Sequence, residues 1–346
     1  MRFFECDYTE GACPEIMNRL METNFMQTPG YGEDVICDSA RAKIRKSCDA
    51  EHADVHFLVG GTQANLTVIA SVLRPYQGVF SAETGHINVH ETGAIEATGH
   101  KVLALPSTTG KITAEQVKDY YDAHWADGSH EHIVQPGMVY ISHPTENGTL
   151  YTKAELKELY QMCQQLELPL FLDGARLGYG LMSEGNNVTI KDIARLSDVF
   201  YIGGTKVGAL FGEAIVASNS NLLPHFFTTI KQHGALLAKG RLLGIQFETL
   251  FTDNLYYNIS KHAVEQAIRI RDSFVKNGYK LAINSPSNQQ FIVLPNEIMD
   301  KLSEYVSFEV WGKRGETETT VRFVTSWATQ AEDVDSLINI LTNIKQ

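Results

Sequence analysis

The chain has 346 residues, 43% of them hydrophobic and 20% charged, with a formal net charge of −12. That length exceeds what one hydrophobic core usually organises, so two lobes are expected, and the acidic balance argues against nucleic acid or an anionic membrane as partner, since either demands a basic face. Five cysteines (Cys6, Cys13, Cys37, Cys48, Cys163), odd in number and without a C-x-x-C pair, argue against a disulfide framework or zinc knuckle; with no signal-peptide core and no stretch near the ~18–20 uncharged residues of a membrane span, a cytoplasmic protein with reduced thiols is expected.

Along the chain, short apolar runs alternate with helical patterns. The first run, "DVHFLVG" at 54–60, enters Gly60-Gly61-Thr62 and then the helical pattern "TQANLTVIASVL". Glycines permit close backbone approach, a helix start offers free N–H groups and Thr62 adds a hydroxyl, so this turn suits a phosphate. It matches neither the dinucleotide nor the nucleoside-triphosphate glycine motif, and an ordinary tight turn explains it equally well.

"GVFSAE" at 78–83 is followed by His86 and His90, spaced i, i+4, with Glu91 beside them. The H-E-x-x-H order and a third ligand are missing, so no metal is expected. His86, just past a strand end, suits stacking on a flat cofactor or acid–base work. The pairs His52/His56 and His130/His132 read as solvated or satisfied within the core. "KVLALP" at 101–106 and "GMVYISHP" at 137–144 are further strands, each followed by a helical pattern, at 113–124 and 152–166.

In "PLFLDGARLGYG" at 169–180, Asp173 ends a strand expected to be buried on both faces. A carboxylate there is costly unless a cation or strong donor meets it. Either it pairs with Arg176, or it faces a cationic ring nitrogen of a cofactor. After a short helix near 189–195, "DVFYIGGTK" at 198–206 places Lys206 at another strand end, in glycine-lined space where desolvation favours the neutral, nucleophilic amine. A lysine extending its head to solvent is the plainer alternative. "GEAIVAS" at 212–218 closes this series.

Residues 222–280 read as mainly helical. Strands at 289–295, 306–312 and 320–327, a short helix, and a closing helix at 331–344 form a small α+β lobe. The division expected is an N-terminal segment 1–25, a large α/β domain 26–250 with a mostly parallel sheet, and a small C-terminal domain 251–346. In such sheets ligands sit beyond the carboxyl ends of the strands. A phosphate turn, a strand-end carboxylate and, 33 residues on, a strand-end lysine form the set that pyridoxal 5′-phosphate needs: N–H donors for the phosphate, a partner for the pyridine nitrogen, an amine for the aldehyde.

At these residues the chain resembles the fold type I pyridoxal-phosphate enzymes, with an aspartate aminotransferase-like large domain. Within them it is similar to the β-eliminating lyase family, on the side of the low-specificity L-threonine and phenylserine aldolases. The motifs are "YGED" at 31–34, "GGTQAN" at 60–65, "GHINVHETGA" at 85–94, "HIVQP" at 132–136, "LDGARL" at 172–177, "GGTK" at 203–206 and "VRFVTSW" at 321–327. The resemblance implies retro-aldol cleavage of a β-hydroxy-α-amino acid to glycine and an aldehyde, with β-elimination from another amino acid as the alternative. It implies Lys206 as the residue that holds the cofactor, Asp173 at the pyridinium, and Gly61, Thr62 and Gln63, helped by Thr205, at the phosphate. His86 would stack on the ring, Arg176 and Arg322 would hold the substrate carboxylate, His132 would lie near the β-hydroxyl, and Tyr31 would line the site. Cys6 stands where relatives carry a carboxylate-binding serine. The "GGTKVGALFGE" segment lies nearer the phenylserine branch, so an aromatic or bulky β-substituent is expected. The resemblance also implies a homodimer or homotetramer with shared sites.

Overall fold

The computed structural model describes residues 1–344. Its centre is a seven-stranded sheet of β1 (Asp54–Leu58), β2 (Gln77–Ala82), β3 (Lys101–Leu105), β4 (Gln135–Ser142), β5 (Leu170–Asp173), β6 (Val199–Gly203) and β7 (Glu213–Ala217), in the order β1-β7-β6-β5-β4-β2-β3. β2 pairs in parallel with β3 and β4, β4 with β5, and β5 with β6. β7 alone runs antiparallel, to both β1 and β6. Every residue of β5, β6 and β7 is buried, which is why these strands read as unbroken apolar runs. Strand alternation divides them between two cores: Phe200 and Ile202 pack on one face of the sheet, Val199 and Tyr201 on the other.

The second lobe is an antiparallel sheet of β8 (Lys280–Ile283), β9 (Gln289–Pro295), β10 (Glu309–Val310) and β11 (Glu318–Val324), in the order β10-β11-β9-β8. β8 falls where the sequence reads as the end of a helical region; it is an edge strand of four residues with alternating exposure, too short to announce itself. The helices that matter for the site are α1 (Gly61–Val72), α2 (His86–Val89), α3 (Leu177–Met182), α4 (Leu255–Lys276) and α5 (Ala331–Ile344). Tyr256, Ala263 and Val264 at the start of α4 belong to the large-lobe core, while Ile270 and Phe274 belong to the small-lobe core with Phe4, Phe323 and Leu337. A division at residue 250 therefore assigns to one lobe a helix whose side chains serve both. The N-terminus is tied to the small lobe: Arg2–Phe3 pairs in parallel with Val306–Ser307, and the N–H of Val324 donates to the Phe4 carbonyl at 2.8 Å.

Candidate active site

One cavity of about 510 Å³ opens where the carboxyl ends of β1, β4, β5 and β6 meet the small lobe. Its size suits a small ligand plus a cofactor. Lys206, Asp173, Arg176, His86, Thr62 and Arg322 all line it, so the structure brings together residues separated by up to 260 positions in the chain.

Asp173 is buried at the cavity floor and accepts from the Tyr140 hydroxyl at 2.6 Å, Asn65 Nδ2 at 3.1 Å and the Ala175 N–H at 2.9 Å. Burial pushes its pKa up, but His86 and the hydroxyls of Tyr140 and Tyr201 outweigh this and hold the carboxyl below its ordinary value. Asp173 is thus an ionised acceptor beside the cavity, and Arg176 is not its partner. Asn65 Nδ2 also donates to Glu91 at 2.7 Å, and Glu91 bonds His86 Nδ1 at 2.7 Å. One chain of contacts therefore orients the His86 ring and the Asp173 carboxylate together.

Lys206 is held low in pKa, first by burial and then by Arg176. This is the neutral-amine environment expected of a nucleophilic lysine. The neighbouring glycines do not form the wall of its space. A Cβ on Gly203 would stand 2.2 Å from the Ala175 carbonyl oxygen, and one on Gly204 2.8 Å from that of Gly212. These glycines allow the backbone after β6 to pass close to its neighbours, and the walls are side chains. One of them is Glu213, the first residue of β7, buried and pushed up to about 8 by desolvation. Thr205 donates its hydroxyl to Glu213 at 2.8 Å and accepts from the Gly212 N–H at 3.0 Å. Thr205 thus lines the cavity with its hydroxyl engaged by Glu213 and Gly212.

At the other end, Gly60 is the N-cap of α1, and Gly60, Gly61 and Thr62 border the cavity with the first-turn N–H groups of the helix. Gln63 has its side chain turned back, Oε1 accepting from the Val59 N–H at 3.1 Å, so it braces the turn. Arg176 is gripped by Asp7, which accepts from Nε at 2.7 Å and from Nη2 at 3.0 Å. Arg322 lies 4.8 Å from the Trp311 ring centroid, donates to Gln289 Oε1 at 2.8 Å and pairs with the Glu309 carboxylate.

Three expected site residues lie elsewhere. His132 is exposed and precedes β4 at its amino end. The eight-residue strand separates it from the cavity edge by roughly 25 Å. Tyr31 lies in a different groove, with Lys231 Nζ 4.9 Å from its ring centroid. Cys6 does not border the cavity; Tyr8, two residues on, does. Five residues the sequence reading did not single out complete the site: Asp7, Tyr8, Glu213, Glu309 and Trp311. The second imidazole at the cavity is His90, its ring centroid 5.6 Å from that of His86.

The donor set fits pyridoxal phosphate: an ionised, buried carboxylate for a ring nitrogen, a desolvated amine, an imidazole that borders the same space, and a helix start with free N–H groups. Among the described residues no group of three or more His, Cys, Asp or Glu is arranged to hold a metal ion.

Comparison with known proteins gives a consistent picture. The family model described as beta-eliminating lyase matches residues 4–283. A low specificity L-threonine aldolase of Pseudomonas aeruginosa is 29% identical over 340 residues, 96% of this chain and 95% of that protein. The structure of a Leishmania major threonine aldolase superposes with a TM-score of 0.97 and 41% identity, covering 100% of both chains. A Thermus thermophilus aspartate aminotransferase shares the fold alone, with a TM-score of 0.71 and 12% identity over 99% of this chain and 91% of the other.

Proposed function

The chain belongs to the β-eliminating lyase family, and we propose on that basis that it cleaves L-threonine and related β-hydroxy-α-amino acids to glycine and an aldehyde. It is a pyridoxal-phosphate-dependent carbon–carbon lyase. The observation that carries the reading is the convergence of half-buried Lys206, its pKa lowered, and ionised Asp173 on one cavity.

When bound, the cofactor supplies the electron sink for the pair released from the broken Cα–Cβ bond. Lys206 Nζ would be the amine that holds it, Asp173 would partner its ring nitrogen, and the turn at Gly60, Gly61 and Thr62 would take its phosphate. His86, braced by Glu91, would border it. Arg176 and Arg322 would orient the substrate carboxylate, since a guanidinium fork matches it with parallel hydrogen bonds. Fixing the carboxylate would set the orientation of the Cα–Cβ bond.

In place of His132, we assign removal of the β-hydroxyl proton to His90. It stands at the cavity mouth, and burial, then the positive charges of His86 and Arg322, lower its pKa. A neutral Nε2 or Nδ1 is thereby available to accept a proton at neutral pH. Tyr8 and Trp311 at the same mouth favour an aromatic or bulky β-substituent.

A homodimer or homotetramer in the cytoplasm completes the proposal. It is supported by exposed apolar side chains at Phe25 (95%) and Met21 (73%), and by five free thiols. The test is an assay panel of L-threonine, L-allo-threonine and phenylserine, with glycine and aldehyde quantified in wild type and Lys206→Ala. Turnover by the variant, or survival of the visible absorbance of lysine-bound cofactor, would refute the assignment.

A further inference from the structure

Both arginines proposed to take the substrate carboxylate already hold a carboxylate, Arg176 that of buried Asp7 and Arg322 that of half-exposed Glu309. Glu309 pairs with Arg322 Nη2, Gln289 Oε1 occupies Nη1, and Trp311 covers the guanidinium face. Arg322 Nε has no partner among the described residues, but both two-pronged faces of the guanidinium, Nε–Nη2 and Nη1–Nη2, include the Nη2 that Glu309 holds, so a substrate carboxylate docking with two hydrogen bonds competes with Glu309 there. Gln289 is fully buried and anchored in β9, whereas the Glu309 side chain is 44% exposed against 11% for Arg322. Glu309 is thus the partner that yields.

Displacement does not remove Glu309 from the site. It lies on the short edge strand β10, and Glu309 and Trp311, two residues apart, both line the cavity, as alternation along an extended segment requires. Once off Arg322, its carboxylate faces the mouth that Tyr8, His90 and Trp311 share.

We propose that Glu309 is a specificity-determining residue: it competes with the substrate carboxylate for Arg322 and, once displaced, presents a negative charge to the β-substituent and selects against acidic side chains. This rests on the reading of Arg322 as a carboxylate ligand. A partly exposed ion pair is worth little, so the competition amounts to about fivefold in amino-acid affinity.

The experiment compares cofactor-loaded wild type, Glu309→Gln and Arg322→Gln. Glycine is titrated with the absorbance of the bound cofactor as readout, and KM and kcat are measured for L-threonine and 3-hydroxyaspartate. Glu309→Gln is expected to lower the glycine Kd and the L-threonine KM about fivefold, with kcat changing less than KM, and to raise kcat/KM for 3-hydroxyaspartate relative to L-threonine about tenfold. Arg322→Gln is expected to raise Kd and KM. If Glu309→Gln leaves Kd and KM unchanged or raises them while Arg322→Gln weakens binding, the competition is overturned and the Arg322 reading stands. An unchanged substrate ratio overturns the selection role. Unchanged glycine binding in Arg322→Gln overturns the carboxylate reading itself, and the competition with it.

Discussion

Replacing Asp7 by Asn leaves the shape of the side chain nearly intact and removes the charge that faces Arg176. In the ion pair Asp7 is 0% exposed and Arg176 12%, and Asn288 Nδ2 adds a third donor to the Asp7 carboxylate at 2.9 Å. Removing one partner of a buried pair costs roughly 3–5 kcal/mol, because the remaining charge keeps its desolvation penalty. Asn retains one acceptor, so the lower figure, about 3 kcal/mol, applies. With an unfolding entropy of ~2.1 cal/mol/K per residue over the 346-residue chain, that is a fall in Tm of about 4 °C. Calorimetry on cofactor-free protein isolates the effect from ligand-linked stabilisation. The pH dependence has a definite sign. Burial raises the Asp7 pKa, but Arg176 and Lys206 pull it below its ordinary value. A carboxyl with a depressed folded-state pKa stabilises fully above its unfolded value of about 3.9 and loses that contribution as pH falls through the folded value. The gap between wild type and Asp7→Asn should therefore be constant above about pH 5 and narrow below pH 4. The control is a double-mutant cycle with Arg176→Met: the two losses should overlap by about 2 kcal/mol in the double variant. Strict additivity would refute the pairing as an energetic unit.

Asp173→Asn should still fold, because the amide oxygen can accept from the Ala175 N–H and the Tyr140 hydroxyl can turn to accept from the new NH2, yet lower kcat by about 10²-fold or more, the scale on which one preorganised charge acts; near-normal turnover would remove the account of the electron sink. His132→Ala should leave kcat/KM within twofold, while His90→Ala should lower kcat by about 10²-fold, as loss of a positioned base does. The reverse order of effects in steady-state kinetics would restore His132. Since the His90 pKa lies below its ordinary 6.5, the acidic limb of the wild-type kcat/KM profile should fall below pH 6.5, and it should disappear in His90→Ala.

The parts of the site that follow parallel strands were legible in the sequence, because a polar residue ending an unbroken apolar run announces itself. Asp173 after "LFL" and Lys206 after "VFYIGGT" are of this kind. Glu213 was missed for the opposite reason. β7 runs antiparallel, so its amino end lies at the edge where its neighbours have their carboxyl ends, and the glutamate before "AIVA" was the available signal. Glu309 and Trp311 reach the cavity from the small lobe, and Asp7 in the N-terminal segment stands behind Arg176, through contacts such as the pairing of Arg2–Phe3 with Val306–Ser307; no local pattern encodes that closure. His132 stands at the amino end of β4 in its own chain, since a match to a motif fixes identity and not depth along a strand.

The cavity holds several buried charges, and their pairing decides how it can respond to a ligand. Arg176 is matched by Asp7, and that pair is enclosed, so parting it would leave a desolvated charge without compensation. Arg322 differs, because its carboxylate partner is half-exposed at the mouth and recovers hydration on release. An anionic substrate group therefore meets one arginine that is rigidly oriented and one whose partner exchanges readily. Asp7 and Glu309 make the same kind of bond with opposite consequences: the first fixes an orientation, the second sets a threshold that an entering carboxylate must exceed.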